Sequence, residues 1–140
     1  MAKKILLIED DSRDITHIKK ALSQLPVEYS LHVAHNGDEA LAILNGNTPN
    51  EVKIHPDIIL LDLNMPKMDG PEFLRIIKNY YSLSNIKIFV MASTAEEYDK
   101  LTVENLGIAG YILKPLDFSG NRKDETRIAI EHLKSELLMN

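Results

Sequence analysis

The stretch Pro56-Asp57-Ile58-Ile59-Leu60-Leu61-Asp62 decides the fold, because a short and continuous apolar run is typical of a strand buried on both faces of a parallel sheet. The loop that follows, residues 63–70, contains Pro66 and Gly70 and does not continue the strand. A second apolar run near the start of the chain also ends in acids, at Glu9 and Asp10. Open parallel sheets carry their chemistry at the carboxyl ends of the strands. Clustered carboxylates repel one another unless they hold a cation or a proton, so the pattern predicts a metal site beside a reactive aspartate.

Outside this stretch, short apolar runs alternate with segments of helical period, which is the pattern of βα units around a parallel sheet. The predicted strands are Lys4–Ile8, Tyr29–Ala34, Ile58–Leu61, Lys87–Ala92 and Gly110–Leu113. The pattern therefore predicts an α/β fold with helices on both faces of one sheet.

The helices between these strands are predicted from apolar spacing and from residues that start or stop a helix. Asp11 or Ser12 can cap the first helix, and Pro26 ends it. Gly46 is suited to a left-handed stop after the second helix. The segment from Thr94 to Glu97 has the form of a capping box. Pro71 suits the first position of the third helix, and inward-facing residues of the last helix are expected at Ile128, Ile130, Leu133 and Leu137 or Leu138.

Length and composition restrict the class of protein. A chain of 140 residues fits a single domain spanning 1–140, with no output domain expected. The absence of cysteine excludes disulfides and thiolate catalysis. A net charge of −5 argues against a nucleic-acid partner. The apolar run before Glu9 is too short for a signal peptide or a membrane span, so we expect a soluble cytoplasmic protein with no membrane contact.

Five chemically active side chains fall at strand ends: Glu9, Asp10, Asp62, Ser93 and Lys114. Together with the motifs Asp62-Leu-Asn-Met-Pro-Lys-Met-Asp-Gly70, Ser93-Thr94 and Gly110-Tyr111-Ile-Leu-Lys114-Pro115, they make the chain resemble the receiver domain of two-component response regulators. The resemblance covers essentially the whole chain and is to stand-alone, chemotaxis-regulator-like receivers. It implies a three-layer, doubly wound, flavodoxin-like sheet of five parallel strands in the order 2-1-3-4-5.

The resemblance also implies a role for each residue of the site. Asp62 would accept a phosphoryl group from a phosphohistidine, with Ser93 and Lys114 contacting the phosphoryl oxygens. Mg²⁺ would be held by Glu9 through water, by Asp10 and Asp62, and by the main-chain carbonyl of Asn64, a set of hard oxygen ligands that suits this ion. Ser93 and Tyr111 would form the switch that transmits the signal. Asp11 is expected to belong to the loop or the helix cap rather than to the metal site.

The partners implied are a sensor histidine kinase or a histidine phosphotransfer protein, and an unknown downstream protein. A homodimer through the fourth helix, the fifth strand and the fifth helix is a further possibility. The polar loop Asn45–His55 and the segment Lys114-Pro115-Leu116-Asp117-Phe118 are similar to the single-domain regulators associated with bacterial phytochromes.

Three alternatives compete with this interpretation. A phosphatase of the haloacid-dehalogenase type also uses an aspartyl nucleophile, but it needs a second aspartate where this chain has Asn64. A flavodoxin-like cofactor binder would need a Ser/Thr/Gly-rich phosphate loop after the first strand. A phosphorylation-independent interaction module would not need the acids and the lysine. We therefore expect no enzyme beyond self-phosphorylation and self-dephosphorylation.

Overall fold

The computed structural model describes residues 2–46, 54–63, 65, 70–80, 86–102 and 107–139. Strands and helices alternate along the chain in the order β1 (Lys3–Ile8), α1 (Ser12–Ser23), β2 (Tyr29–Ala34), α2 (Gly37–Asn45), β3 (Ile58–Asp62), α3 (Gly70–Tyr80), β4 (Lys87–Ala92), α4 (Ala95–Thr102), β5 (Gly110–Leu113) and α5 (Thr126–Leu138). Each predicted strand is present within one residue of its predicted ends.

The sheet has five strands in the order β2-β1-β3-β4-β5, and every neighbouring pair is parallel. The predicted fold class and strand order are therefore confirmed. Ile8 pairs with Leu61, Asp62 with Met91, and Ala92 with Leu113. The carboxyl ends of β1, β3, β4 and β5 consequently lie side by side along one edge of the sheet.

Two hydrophobic cores cover the two faces of the sheet. The alternation of side chains along each strand sends Leu60 to one core and Leu61 to the other. Helices α1 and α5 pack on the first face, and α2 and α3 pack on the second. Every residue of β3 is buried, because this strand lies in the middle of the sheet and is covered on both sides.

Helix ends are fixed by local hydrogen bonds that the sequence predicts. The Asp11 carboxylate accepts from the amides of Arg13 at 2.8 Å and Asp14 at 3.1 Å, so Asp11 is the N-cap of α1. The Thr94 hydroxyl caps α4 by accepting from the Glu97 amide at 3.1 Å. Gly46 ends α2 with φ at 76°, the left-handed conformation expected there.

Some sequence predictions differ from the structure. Ile128 is 78% exposed rather than inward-facing, because the buried face of α5 is formed by Ala129, Ile130, Leu133 and Leu137. Of the alternatives Leu137 and Leu138, Leu137 is the buried one. Helix α3 begins at Gly70, one residue before Pro71. Asn64 lies outside the described residues. None of the helices within the described ranges combines the length and apolar character that crossing a membrane requires.

Candidate functional site

Three carboxylates meet where β1 and β3 end. Ile8 is the last residue of β1, so Glu9 and Asp10 follow the strand directly, whereas Asp62 is the last residue of β3. Carboxylate oxygens of Glu9, Asp10 and Asp62 lie within 4.8 Å of one another. Glu9 and Asp62 are buried and Asp10 is exposed, so the group forms a pocket open to solvent on one side. The predicted cluster of acids is therefore present.

Lys114 brings the positive charge to this pocket. It follows β5, and its backbone amide donates to the carbonyl oxygen of Ala92 at 2.9 Å. This hydrogen bond extends the pairing of β5 with β4. The Lys114 ammonium lies 3.1 Å from Glu9 Oε2 and 3.3 Å from Asp62 Oδ2. A lysine at this position neutralises part of the charge of two buried acids.

The buried acids perturb the ionisation of this pocket. Burial raises the pKa of Glu9 to about 8, and a hydrogen bond with Asp62 and its negative charge act in the same direction, against the opposing effect of Lys114. Burial by itself would lower the pKa of Lys114, but the hydrogen bond to Asp14 and the charges of Asp62 and Glu9 outweigh it and raise that pKa. Without a metal ion, the raised pKa of Glu9 therefore favours its protonated form at neutral pH.

The acid pocket has the donor set of a hard-cation site. Carboxylate oxygens are the ligands that Mg²⁺ and Ca²⁺ take in proteins, and Mg²⁺ keeps several waters and needs only one or two carboxylates. Glu9, Asp10 and Asp62 supply oxygens close enough together to share one ion. A cation at this place would favour the ionised form of these carboxylates, whereas burial of Glu9 beside Asp62 favours a proton on Glu9.

The other predicted residues lie around the pocket. Ser93 follows β4 and lines, with Lys114, a cavity of about 330 Å³ between the sheet edge and α1. Tyr111 is half-buried on β5 and packs against the core on the α2 and α3 face, beside Tyr98. The structure thus brings Glu9, Asp10, Asp62 and Lys114 into one site, with Ser93 at its rim. Tyr111 lies outside this site and packs against the core on the α2 and α3 face of the sheet.

Asp14 is a member of the site that the sequence reasoning missed. Its Oδ2 accepts from Lys114 Nζ at 2.8 Å, the shortest of the three carboxylate contacts of this ammonium. Asp14 lies in the first turn of α1, after the N-cap Asp11. Which residue of this first turn faces Lys114 depends on the rotational phase of α1 against the sheet, so the sequence pattern carried no signal for Asp14.

Arg122 is a second residue that the sequence did not single out. Its Nη1 donates to the carbonyls of Leu113 at 2.6 Å and Pro115 at 2.8 Å, on either side of Lys114. Its Nη2 is paired with Asp124 at 2.6 Å. The amide of Leu113 also donates to the hydroxyl of the buried Thr126 at 2.7 Å. These bonds fix the backbone that carries Lys114.

Comparison with known proteins identifies the architecture. Residues 5–122 match the model of the response regulator receiver domain. The chain belongs to the response regulator receiver family. Receivers act in two-component phosphorelays, in which histidine kinases phosphorylate them and effectors read the result. The match supports the expected phosphorelay role and gives no support to the haloacid-dehalogenase alternative.

Single-domain receivers are among the similar proteins. The response regulator Rcp1 of Synechocystis sp. is 34% identical over 122 residues, which is 87% of this chain and 80% of that protein. A two-component response regulator from Legionella pneumophila superposes with a TM-score of 0.72 at 36% identity, covering 95% of this chain and 98% of its own. The bacteriophytochrome response regulator AtBRR superposes with a TM-score of 0.76 at 31% identity, covering 98% of this chain and 93% of its own. The expected resemblance to phytochrome-associated regulators is confirmed as a similarity. The receiver also matches part of a larger protein, the sensor histidine kinase CheAY of Helicobacter pylori, of which it spans 13%.

Proposed function

We propose that Asp62 accepts a phosphoryl group from a phosphohistidine in a cytoplasmic His–Asp phosphorelay, donated by a sensor histidine kinase or a histidine phosphotransfer protein. The observation that carries the proposal is the contact of 3.3 Å between the buried Asp62 carboxylate and the Lys114 ammonium, beside the oxygens of Glu9 and Asp10. No other aspartate among the described residues combines burial with both a cation and a set of metal-type ligands.

In the proposed reaction, a carboxylate oxygen of Asp62 attacks the phosphorus atom of the phosphohistidine. The new O–P bond forms as the P–N bond breaks, and the leaving imidazole nitrogen takes a proton from solvent. Lys114 holds an ammonium where negative charge accumulates on the phosphoryl oxygens, and the Ser93 hydroxyl donates to one of those oxygens. Phosphoryl transfer depends mainly on positioning and charge stabilisation, so the Lys114 charge supplies most of what this chain's side chains contribute.

Glu9, Asp10 and Asp62 would hold Mg²⁺, and we propose the main-chain carbonyl of Asn64 as a further ligand. When bound, the ion neutralises charge on the phosphoryl oxygens. The same residues support only transfer to Asp62 and later hydrolysis of the acyl phosphate. We therefore propose that the receiver turns over no separate substrate.

The test of the acceptor is phosphorylation by acetyl phosphate with Mg²⁺, followed by intact-protein mass spectrometry. Wild-type receiver should gain one phosphoryl group, and Asp62→Asn should gain none. Asp57→Asn, at the opposite end of β3, is the matched control and should still be phosphorylated. Equal phosphorylation of Asp62→Asn and wild type by a phosphohistidine donor would refute the assignment.

We further propose that Ser93 and Tyr111 act as a coupled switch, in which Ser93 moves toward the phosphoryl group and Tyr111 changes its packing. The altered surface would lie on α4, β5 and α5, where a downstream protein or a second receiver would bind. Ser93→Ala should leave phosphoryl uptake largely intact and weaken the phosphorylation-dependent association.

The coupling is tested with a double-mutant cycle on self-association, measured by analytical ultracentrifugation with and without beryllofluoride. Because coupled residues are non-additive, Tyr111→Ala added to Ser93→Ala should cost little more than Ser93→Ala alone. Losses that simply sum would show that the two residues do not act together.

A further inference from the structure

The Lys114 ammonium is shared among three carboxylates. It lies 2.8 Å from Asp14, 3.1 Å from Glu9 and 3.3 Å from Asp62. An ammonium has three N–H donors and no acceptor. The contacts of Lys114 with Asp14 and Glu9 are hydrogen bonds, and its contact with Asp62 is an ion pair. A phosphoryl oxygen on Asp62 would therefore compete with Asp14 and Glu9 for the ammonium.

The three carboxylates differ in what it costs to release them. The Glu9 side chain is fully buried, so it has no water to replace a lost N–H donor. The Asp14 side chain is 39% exposed and can be rehydrated. Of the two hydrogen bonds of Lys114, the one to Asp14 is therefore the less costly to break.

Asp14 is not the cap of α1, and its role in the helix is that of a favourable negative charge in the first turn. Asp11 is the N-cap of α1 and satisfies the amides of Arg13 and Asp14. The hydrogen bond from Lys114 is the polar contact recorded for the Asp14 carboxylate, and among the effects that raise the pKa of Lys114 it is the largest. The pair is a specific contact of the pocket, and it lines the same cavity as Ser93.

We propose that Asp14 is a positioning residue that holds the Lys114 ammonium in the unphosphorylated receiver and thereby restrains phosphoryl uptake at Asp62. The inference rests on the proposed role of Asp62. Two effects act in the same direction, because Asp14 draws the ammonium toward α1 and adds a negative charge near the incoming phosphoryl group. Removing the Asp14 charge should therefore favour the phosphorylated state.

The test uses the full chain and two measurements. The first is the affinity for beryllofluoride at saturating Mg²⁺, by isothermal titration calorimetry. The second is the initial rate of phosphoryl uptake from acetyl phosphate, by phosphate-affinity electrophoresis. Exposed ion pairs are weak, so Asp14→Asn should raise both quantities about two- to fivefold. Asp14→Ser also removes the charge and should raise the affinity and the rate in the same way. It takes the place of Asp14→Asn if that variant folds poorly.

Two controls separate the contact from general charge and helix effects. Asp38→Asn removes the same charge from the first turn of α2 and should leave both measurements unchanged. Asp14→Glu keeps the charge on α1 and should remain close to wild type. A purely structural role for Asp14 would lower the thermal midpoint without raising the affinity for beryllofluoride.

Each result decides one claim. No gain in the neutral Asp14 variants beyond Asp38→Asn, or a loss of affinity in them, would overturn the role of Asp14. Undiminished uptake by Asp62→Asn would instead overturn the proposed acceptor, whatever the Asp14 variants do. A gain in the neutral variants with Asp62→Asn inactive supports both.

Discussion

Replacing Glu9 by Gln should remove a large part of the pH dependence of stability in the metal-free receiver. The pKa of Glu9 is raised from 4.5 to about 8, mainly by burial. A carboxyl group whose pKa is higher in the folded state than in the unfolded state stabilises the fold below pH 4.5. That stability is lost as the pH rises toward 8. The free energy of unfolding should therefore fall with increasing pH in this window.

The magnitude follows from the size of the change. A difference of about 3.5 pH units at about 1.4 kcal/mol per unit gives an upper limit of about 5 kcal/mol. The effective dielectric constant of buried sites in proteins is higher than that of a dry interior. We therefore expect the free energy of unfolding to fall by about 2 kcal/mol between pH 5 and 8.5. Asp11 and Asp117, whose pKa values are lowered from 3.8, titrate below this window.

Urea denaturation followed by circular dichroism at pH 5 and pH 8.5, in the presence of EDTA, measures the effect. Wild type should lose stability between the two pH values, Glu9→Gln should lose much less, and Glu72→Gln, an exposed acid in the first turn of α3, should behave as wild type. Saturating Mg²⁺ should stabilise wild type more at pH 8.5 than at pH 5, because protons compete with the ion for Glu9. Equal pH dependence in wild type and Glu9→Gln would refute this account of the acid pocket.

Three further changes have expected outcomes. Asp10→Ala should weaken Mg²⁺ binding, measured by calorimetry, about tenfold or more, whereas Asp11→Ala should leave it nearly unchanged, since only Asp10 belongs to the carboxylate cluster. Asp11→Ala should instead cost about 1 kcal/mol in urea denaturation through loss of the α1 cap, and an unchanged midpoint would contradict the capping role. Gly110→Ala would place a methyl group 2.9 Å from Cβ of Ala129 and 3.2 Å from Phe89, so it should cost about 1–3 kcal/mol; the second substitution Ala129→Gly should recover part of that loss.

The acids and the lysine of the site could be predicted because each follows an apolar run directly. The ends of β1, β3 and β5 are visible as the points where apolar residues stop, and parallel pairing then places Glu9, Asp62 and Lys114 at one edge. The hydrophobic pattern gives the strand ends, and the resemblance to receiver domains supplied the strand order. The distances among these side chains, in contrast, could be obtained only from the folded structure.

Asp14 and Ile128 show what the pattern could not supply. Their placement depends on the rotational phase of a helix against the sheet, and a sequence with apolar residues at both Ile128 and Ile130 is compatible with more than one phase. The structure selects the phase that buries Ala129 and Ile130 and leaves Ile128 outside. Arg122 was missed for a different reason, since a polar loop residue that bonds to carbonyls has no signature in hydrophobicity.

Helices α1 and α5 pack into one hydrophobic core, so a movement of one helix is coupled to the position of the other. Ile18 and Leu22 of α1 lie in the same cluster as Ile130 and Leu133 of α5. Close-packed interiors resist compression and pass displacement on to their neighbours. A displacement of α1 would therefore be passed on to α5. Because the proposed output surface includes α5, a substitution in this shared core should alter the packing behind that surface together with the packing behind α1.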